Sequence, residues 1–185
     1  MPEKEIYIVI TQTGTVLSRI IGRITGAEYN HASLSLTPDL RCMYSFGRRH
    51  AYNPLWGGFV TESPEFGTFK RFSETRAIVI SVPVSRQTYD SLSLKLHEML
   101  ENKNLYHYDM IGLLLAGRGI IYKRRHHYYC SDFVRELLVS FGIEDPEFFE
   151  PIVQPMHFLN IPDGHVIYKG KLREYSLDAV KRRVS

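Results

Sequence analysis

The 185-residue sequence predicts an α+β fold in a single domain, residues 1–185, and three observations carry that reading. Short β-branched runs, Ile6-Tyr7-Ile8-Val9-Ile10 and Ala77-Ile78-Val79-Ile80-Ser81-Val82, have the length and composition of buried strands. Between and after them, apolar residues recur at helical spacing, with capping residues before and glycines after. No internal repeat, low-complexity tract or long linker divides the chain.

In order, residues 5–11 form the first predicted strand. Residues 15–25 place Val16, Leu17, Ile20, Ile21 and Ile24 on one helical face, with Thr13 or Thr15 as cap and Gly26 as stop. Residues 29–36 alternate, with His31, Ser33 and Ser35 on one face and Ala32, Leu34 and Leu36 on the other, the period of a half-buried strand. Thr37-Pro38-Asp39 turns the chain into a returning strand over residues 41–46. Residues 47–58 read as a loop carrying Arg48, Arg49, Tyr52, Asn53, Pro54 and Trp56, an aromatic and basic stretch of the kind that borders a cleft. A strand is expected near residues 66–72 and another over 76–84, where Pro83 marks its end.

Ser85 then caps a helix whose buried face is Tyr89, Leu92, Leu96, Met99 and Leu100. A second helical segment follows residues 106–115 and is broken by Gly117 and Gly119. The next helix begins at Cys130: Phe133, Val134, Leu137, Leu138 and Phe141 share a face, and Gly142 stops it. Pro151, Pro155 and Pro162 keep the following stretch irregular. Asp163-Gly164 turns into a last strand at residues 165–169, and a charged tail from Leu172 is expected to fray.

Composition narrows the function classes. A net charge of +3 gives little reason for a nucleic-acid partner, and Lys123-Arg124-Arg125 reads as a short solvated cluster. The longest apolar stretch, residues 110–116, is too short for a transmembrane segment. No export signal is visible at the start, and the two cysteines lie far apart in sequence, so a reducing, cytoplasmic setting with free thiols is expected. No glycine loop of the phosphate-cradling kind follows a strand. His107, His126, His127 and the cysteines lack a zinc spacing, so neither a metal nor a cofactor is expected.

The chemistry centres on Tyr129-Cys130-Ser131-Asp132-Phe133. In the first turn of a helix, unpaired N–H groups and the helix dipole favour an anion, which draws a thiol toward its reactive thiolate form. On the helix alone, Cys130 reads first as a small buried apolar residue. A thiol hydrolase also needs an imidazole to take and return the proton, and a group to orient it. His31, opening a strand on a polar face, is the best second member. His126 and His127 sit in a basic loop, His97 within an amphipathic helix and His165 at the start of the last strand.

Three stretches in this order, Asn30-His31-Ala32-Ser33-Leu34-Ser35-Leu36, Tyr106-His107-Tyr108-Asp109 and Tyr129-Cys130-Ser131-Asp132-Phe133-Val134, resemble the circularly permuted NlpC-type papain-like cysteine peptidases. That group includes YiiX-like bacterial proteins and, more distantly, the lecithin retinol acyltransferase family. The resemblance runs over residues 6–170. It implies a permuted papain-like fold, with an antiparallel sheet packed against helices and the nucleophile at a helix N-terminus. It makes Cys130 the nucleophile and His31 the general base. The third position falls at Ser45, an uncharged group that stabilises imidazolium poorly; Glu62 is a substitute if its loop folds back. Tyr106 resembles the tyrosine that helps the cysteine N–H hold the oxyanion. Tyr44, Arg48 and Tyr129 are expected to border a small peptide or amide substrate, although Tyr44 belongs to the strand's other face. The resemblance thus implies an amide hydrolase acting on peptides such as cell-wall fragments. Its acyltransferase branch implies acyl transfer or lipid ester cleavage, and an unoriented His31 would leave an inert binding module.

Overall fold

The computed structural model describes residues 4–12, 28–49 and 57–178, and the side chain of Arg48 lies outside that description. The helix expected over residues 15–25 and the loop residues Tyr52, Asn53, Pro54 and Trp56 also fall outside it. The fold is α+β. Among the described residues, eight strands, β1 (Lys4–Gln12), β2 (His31–Ser35), β3 (Met43–Arg48), β4 (Gly57–Glu62), β5 (Arg76–Val84), β6 (His107–Tyr108), β7 (His127–Tyr128) and β8 (His165–Lys171), form one sheet in the order β7-β6-β4-β3-β2-β1-β5-β8. Every pairing is antiparallel except β6 with β7.

The apolar runs of β1 and β5 are continuous because both strands are central and covered on both faces. Ile6, Ile8 and Ile10, with Ile78, Ile80 and Val82, enter the larger core. Tyr7, Val9, Ala77 and Val79 face the other way, against Met43, Phe69, Tyr168 and Leu172. The larger core is closed by α2 (Arg86–Glu101) through Leu92, Leu96 and Met99, and by α4 (Cys130–Ser140) through Phe133, Val134, Leu137 and Leu138. Ser85 caps α2, its Oγ accepting from the Thr88 N–H at 3.0 Å. Gly142, at a φ of 62°, ends α4, where a left-handed residue is needed to turn the chain.

Some local expectations change. Residues 66–72 hold not a strand but the short helix α1 (Gly67–Arg71), consistent with the helical spacing of Phe66, Phe69 and Phe72. The expected loop over residues 47–58 ends in β4, which pairs with β3 from Gly57 to Glu62. Leu172 does not fray: it is buried in a 3-10 turn, Leu172–Glu174, within the smaller core. A short helix, α3 (Met110–Ala116), joins β6 to the segment before β7, capped by Asp109 through the Gly112 N–H at 3.0 Å. Among the described residues, no helix is long and apolar enough to cross a membrane.

Candidate active site

The site lies where the sheet splits. The β2–β3 ladder pairs only Leu34 with Tyr44 and Ser35 with Met43. Toward the start of β2 the strands part, so Ala32 must find other partners for its backbone groups. Its carbonyl accepts from Ser45 Oγ at 2.7 Å, and its N–H bonds the sulfur of Cys130. The first residue of α4 is thereby lodged against β2, with Cys130 Sγ 4.0 Å from the Asn30 carbonyl and 3.9 Å from Ser131 Oγ.

His31 occupies the other face of β2, at its first position. Side-chain alternation places Ser33, Ser45 and Glu62 on that same face, because Met43 pairs with Glu62 and Ser45 with Val60. The Glu62 carboxylate grips His31 Nε2 at 2.9 and 3.1 Å and accepts from Ser33 Oγ at 2.7 Å. With Nε2 committed to Glu62, Nδ1 is the nitrogen left for the hydrogen bond that joins His31 to Cys130. Glu62, His31 and Cys130 form one hydrogen-bonded line.

Electrostatics follow the geometry. Burial pushes the His31 imidazole down, but the Glu62 carboxylate and the Cys130 hydrogen bond outweigh it and hold His31 well above its ordinary range. Burial pushes the Cys130 thiol up. The hydrogen bond and charge of His31, with the Ala32 N–H and the Ser131 hydroxyl, more than offset this and hold it below the ordinary thiol value. Both directions favour the thiolate–imidazolium pair. No side chain caps α4, and its first-turn N–H groups have no intrahelical acceptor.

Cys130 faces a cavity of about 170 Å³. Tyr29, Leu113, Ala116, Ile152, Val153 and Pro155 give it apolar walls, Asn30, Ser131 and Gln154 add neutral polar groups, and among the described residues no charged side chain lines it. Tyr108 and Tyr129 complete the wall. Burial, reinforced by the nearby Cys130 charge, raises the Tyr108 phenol well above its ordinary value, so it stays protonated and able to donate. Burial likewise keeps Tyr129 protonated, and the Val153 N–H bonds its oxygen.

The sequence-derived residues are thus distributed unevenly. Cys130, His31 and Tyr129 meet at the site. Ser45 sits 3.4 Å from His31 Nε2, but its hydroxyl proton serves the Ala32 carbonyl, and Glu62, on a strand rather than a folded-back loop, takes the orienting position instead. Tyr106 does not line the cavity; it packs edge-on to Phe46 and against Phe59 in the larger core. Tyr108, two residues on and just before the Asp109 cap, is the tyrosine beside Cys130. Tyr44 stacks on Phe59, on the face away from His31. Arg48 continues β3 opposite Gly57, with no described side chain. His97 pairs with Glu101 on exposed α2, His126 lies against Tyr106 and His127 against His107; with His165 on β8, none lines the cavity. Both cysteines are free, and Cys42 is exposed. Among the described residues, no group of three or more His, Cys, Asp or Glu is placed to hold a metal ion. No family model matches the chain, and no curated protein matches it in sequence.

Proposed function

We propose that this chain is a cysteine hydrolase that cleaves an amide bond through an acyl-enzyme on Cys130, built on a permuted papain-like fold. The observation that carries the reading is the Glu62–His31–Cys130 line ending at a helix N-terminus and facing a cavity. The chain order supports it too: the histidine strand β2 precedes the cysteine helix α4, as in the permuted proteins the sequence resembles.

In this mechanism the thiolate attacks the substrate carbonyl carbon. The carbonyl oxygen gains the negative charge and is held by the Cys130 N–H and the Tyr108 hydroxyl. His31, protonated at Nδ1, gives that proton to the leaving amine as the C–N bond breaks, and the acyl group stays on sulfur. Water then loses a proton to His31 and attacks the thioester, releasing the acid and restoring the pair. The Glu62 carboxylate fixes the ring and stabilises the imidazolium.

A second reading, acyl transfer or lipid ester cleavage on the same thioester, is favoured by one observation. Six apolar side chains line the cavity beside its neutral polar groups, and among the described residues no carboxylate or ammonium lines it to meet a charged peptide end. That chemistry suits an apolar acyl group.

The test is the pH dependence of iodoacetamide alkylation, read by mass spectrometry at Cys130 with Cys42 as internal reference. Cys130 is expected to alkylate well below the ordinary thiol range near about pH 8.5, and His31→Ala should abolish the advantage. Equal behaviour of the two thiols sinks the enzyme reading. Incubation with p-nitrophenyl acetate, hexanoate and succinate then separates the substrates: a Cys130 acyl adduct favouring hexanoate supports the apolar acyl group, and a preference for succinate excludes it.

A further inference from the structure

The segment that walls the cavity also carries, among the described residues, the largest concentration of exposed large apolar side chains. Ile111 and Leu114 are 51% and 40% exposed on α3, and Ile120, Ile121 and Tyr122 are 50%, 57% and 45% exposed just after it. They form one surface. Ile111 and Leu114 are three residues apart and share a helix face. The chain then doubles back along the helix: the Ile120 N–H bonds the Leu115 carbonyl at 3.0 Å, and the Tyr122 carbonyl lies against Gly112. Another flank of the same helix, through Leu113, Ala116 and Gly117, faces Cys130.

Charge says what would cover this surface. Between Asp109 and Asp132 the sequence has Arg118, Lys123, Arg124 and Arg125 and no Asp or Glu. Lys123 pairs with Asp132 at 3.3 Å and Arg124 with Asp109 at 2.6 Å, whereas Arg118 and Arg125 are exposed with no carboxylate beside them among the described ion pairs. A protruding apolar tip bordered by one sign of charge matches an interface of apolar depth beneath negative headgroups. A protein partner of ordinary composition would instead need acidic groups of its own to meet Arg118 and Arg125.

We propose that the α3 hairpin, residues 110–125, docks the protein on an anionic lipid surface, seating Ile120, Ile121 and Tyr122 among the headgroups. Docked this way, the wall of the Cys130 cavity formed by α3 adjoins the bilayer, so an acyl chain leaving the lipid has a short apolar route to the thiol. Docking itself does not require that Cys130 be catalytic.

The experiment is co-sedimentation of the full chain with phosphatidylcholine vesicles, with and without about one quarter phosphatidylglycerol. Binding is expected only with the anionic lipid and should weaken with added NaCl. Ile120→Asp/Ile121→Asp and, separately, Arg118→Ala/Arg125→Ala should each reduce the partition coefficient by roughly tenfold or more. All four positions are exposed, and an unchanged thermal melt verifies the fold. Absence of binding to the anionic vesicles, or binding that neither pair of substitutions weakens, overturns the proposal. So does a dimer in sedimentation velocity that Ile120→Asp/Ile121→Asp dissociates, since a second copy would then be the occupant. Cys130 alkylation, measured on the same variants, should stay unchanged, which keeps failure of docking distinct from failure of the thiol chemistry.

Discussion

Glu62 reaches His31 from two strands away and carries the charge that Ser45 lacks. Replacing it by Gln keeps a hydrogen-bond acceptor near Nε2 and removes the negative charge. His31 should then titrate lower, and Cys130, having lost part of its cationic partner, should titrate higher. The plateau of Cys130 alkylation between the two titrations therefore narrows from both ends. At a pH well below the Cys130 midpoint, a one-unit upward displacement lowers the thiolate fraction about tenfold. Glu62→Gln is expected to slow alkylation at that pH by that order, with Cys42 unaffected; an unchanged profile would show that the carboxylate does not set the pair. The positions of Cys130 and His31 were legible because each opens an element whose periodicity is strong. Glu62 was legible only as a conditional substitute for Ser45, since its relation to His31 depends on the registers of β3 and β4, and no local pattern encodes two registers at once. Tyr108 was missed for a smaller reason: Tyr106 and Tyr108 share one tetrapeptide, and only the Asp109 cap shows which of them borders the helix that lines the cavity.

The parting of β2 from β3 is what admits α4 to the sheet. Ser45 holds that opening, because its hydroxyl takes the place of the ladder donor that the Ala32 carbonyl has lost. Ser45→Ala leaves a buried carbonyl unmet, at a cost of about 1–3 kcal/mol. A urea titration should register that loss. The pH midpoint of Cys130 alkylation should stay where it is, because Glu62 and not Ser45 orients the ring; a displacement as large as that of Glu62→Gln would return the orienting role to serine. Strands β1 and β5 and helices α2 and α4 were readable from periodicity and caps. Strand β4 was hidden by Gly57 and Gly58, which look like loop residues. Here they serve crowding instead: a Cβ on Gly57 would sit 2.6 Å from that of Tyr108, and one on Gly58 would sit 2.7 Å from the Arg49 guanidinium. Strands β6 and β7, two residues each, are too short for any period to register.

Across the whole molecule, the sheet brings the reacting groups together from opposite sides. Cys130 arrives on α4 from the larger core, whereas His31 and Glu62 sit on the face of the smaller one. Stability of the chain and accuracy of the site should therefore separate according to which core is damaged. Phe133 packs at 5.1 Å from Phe46 and 5.6 Å from Phe59, one turn after Cys130, and so seats α4 on the sheet. Phe133→Ala is expected to cost about 3–5 kcal/mol and also to raise the pH midpoint of Cys130 alkylation, as the helix start loses its fixed approach to Ala32 and His31. Leu172 is buried in the smaller core beyond β8, not in the core that seats α4. Leu172→Ala is expected to cost about 2–5 kcal/mol, with the alkylation midpoint unchanged. The continuous sheet should make each variant unfold in one transition, so urea midpoints and alkylation profiles are directly comparable. If Leu172→Ala displaced the Cys130 midpoint as far as Phe133→Ala, the site would depend on general rigidity, and the local seat of α4 would lose its explanatory role.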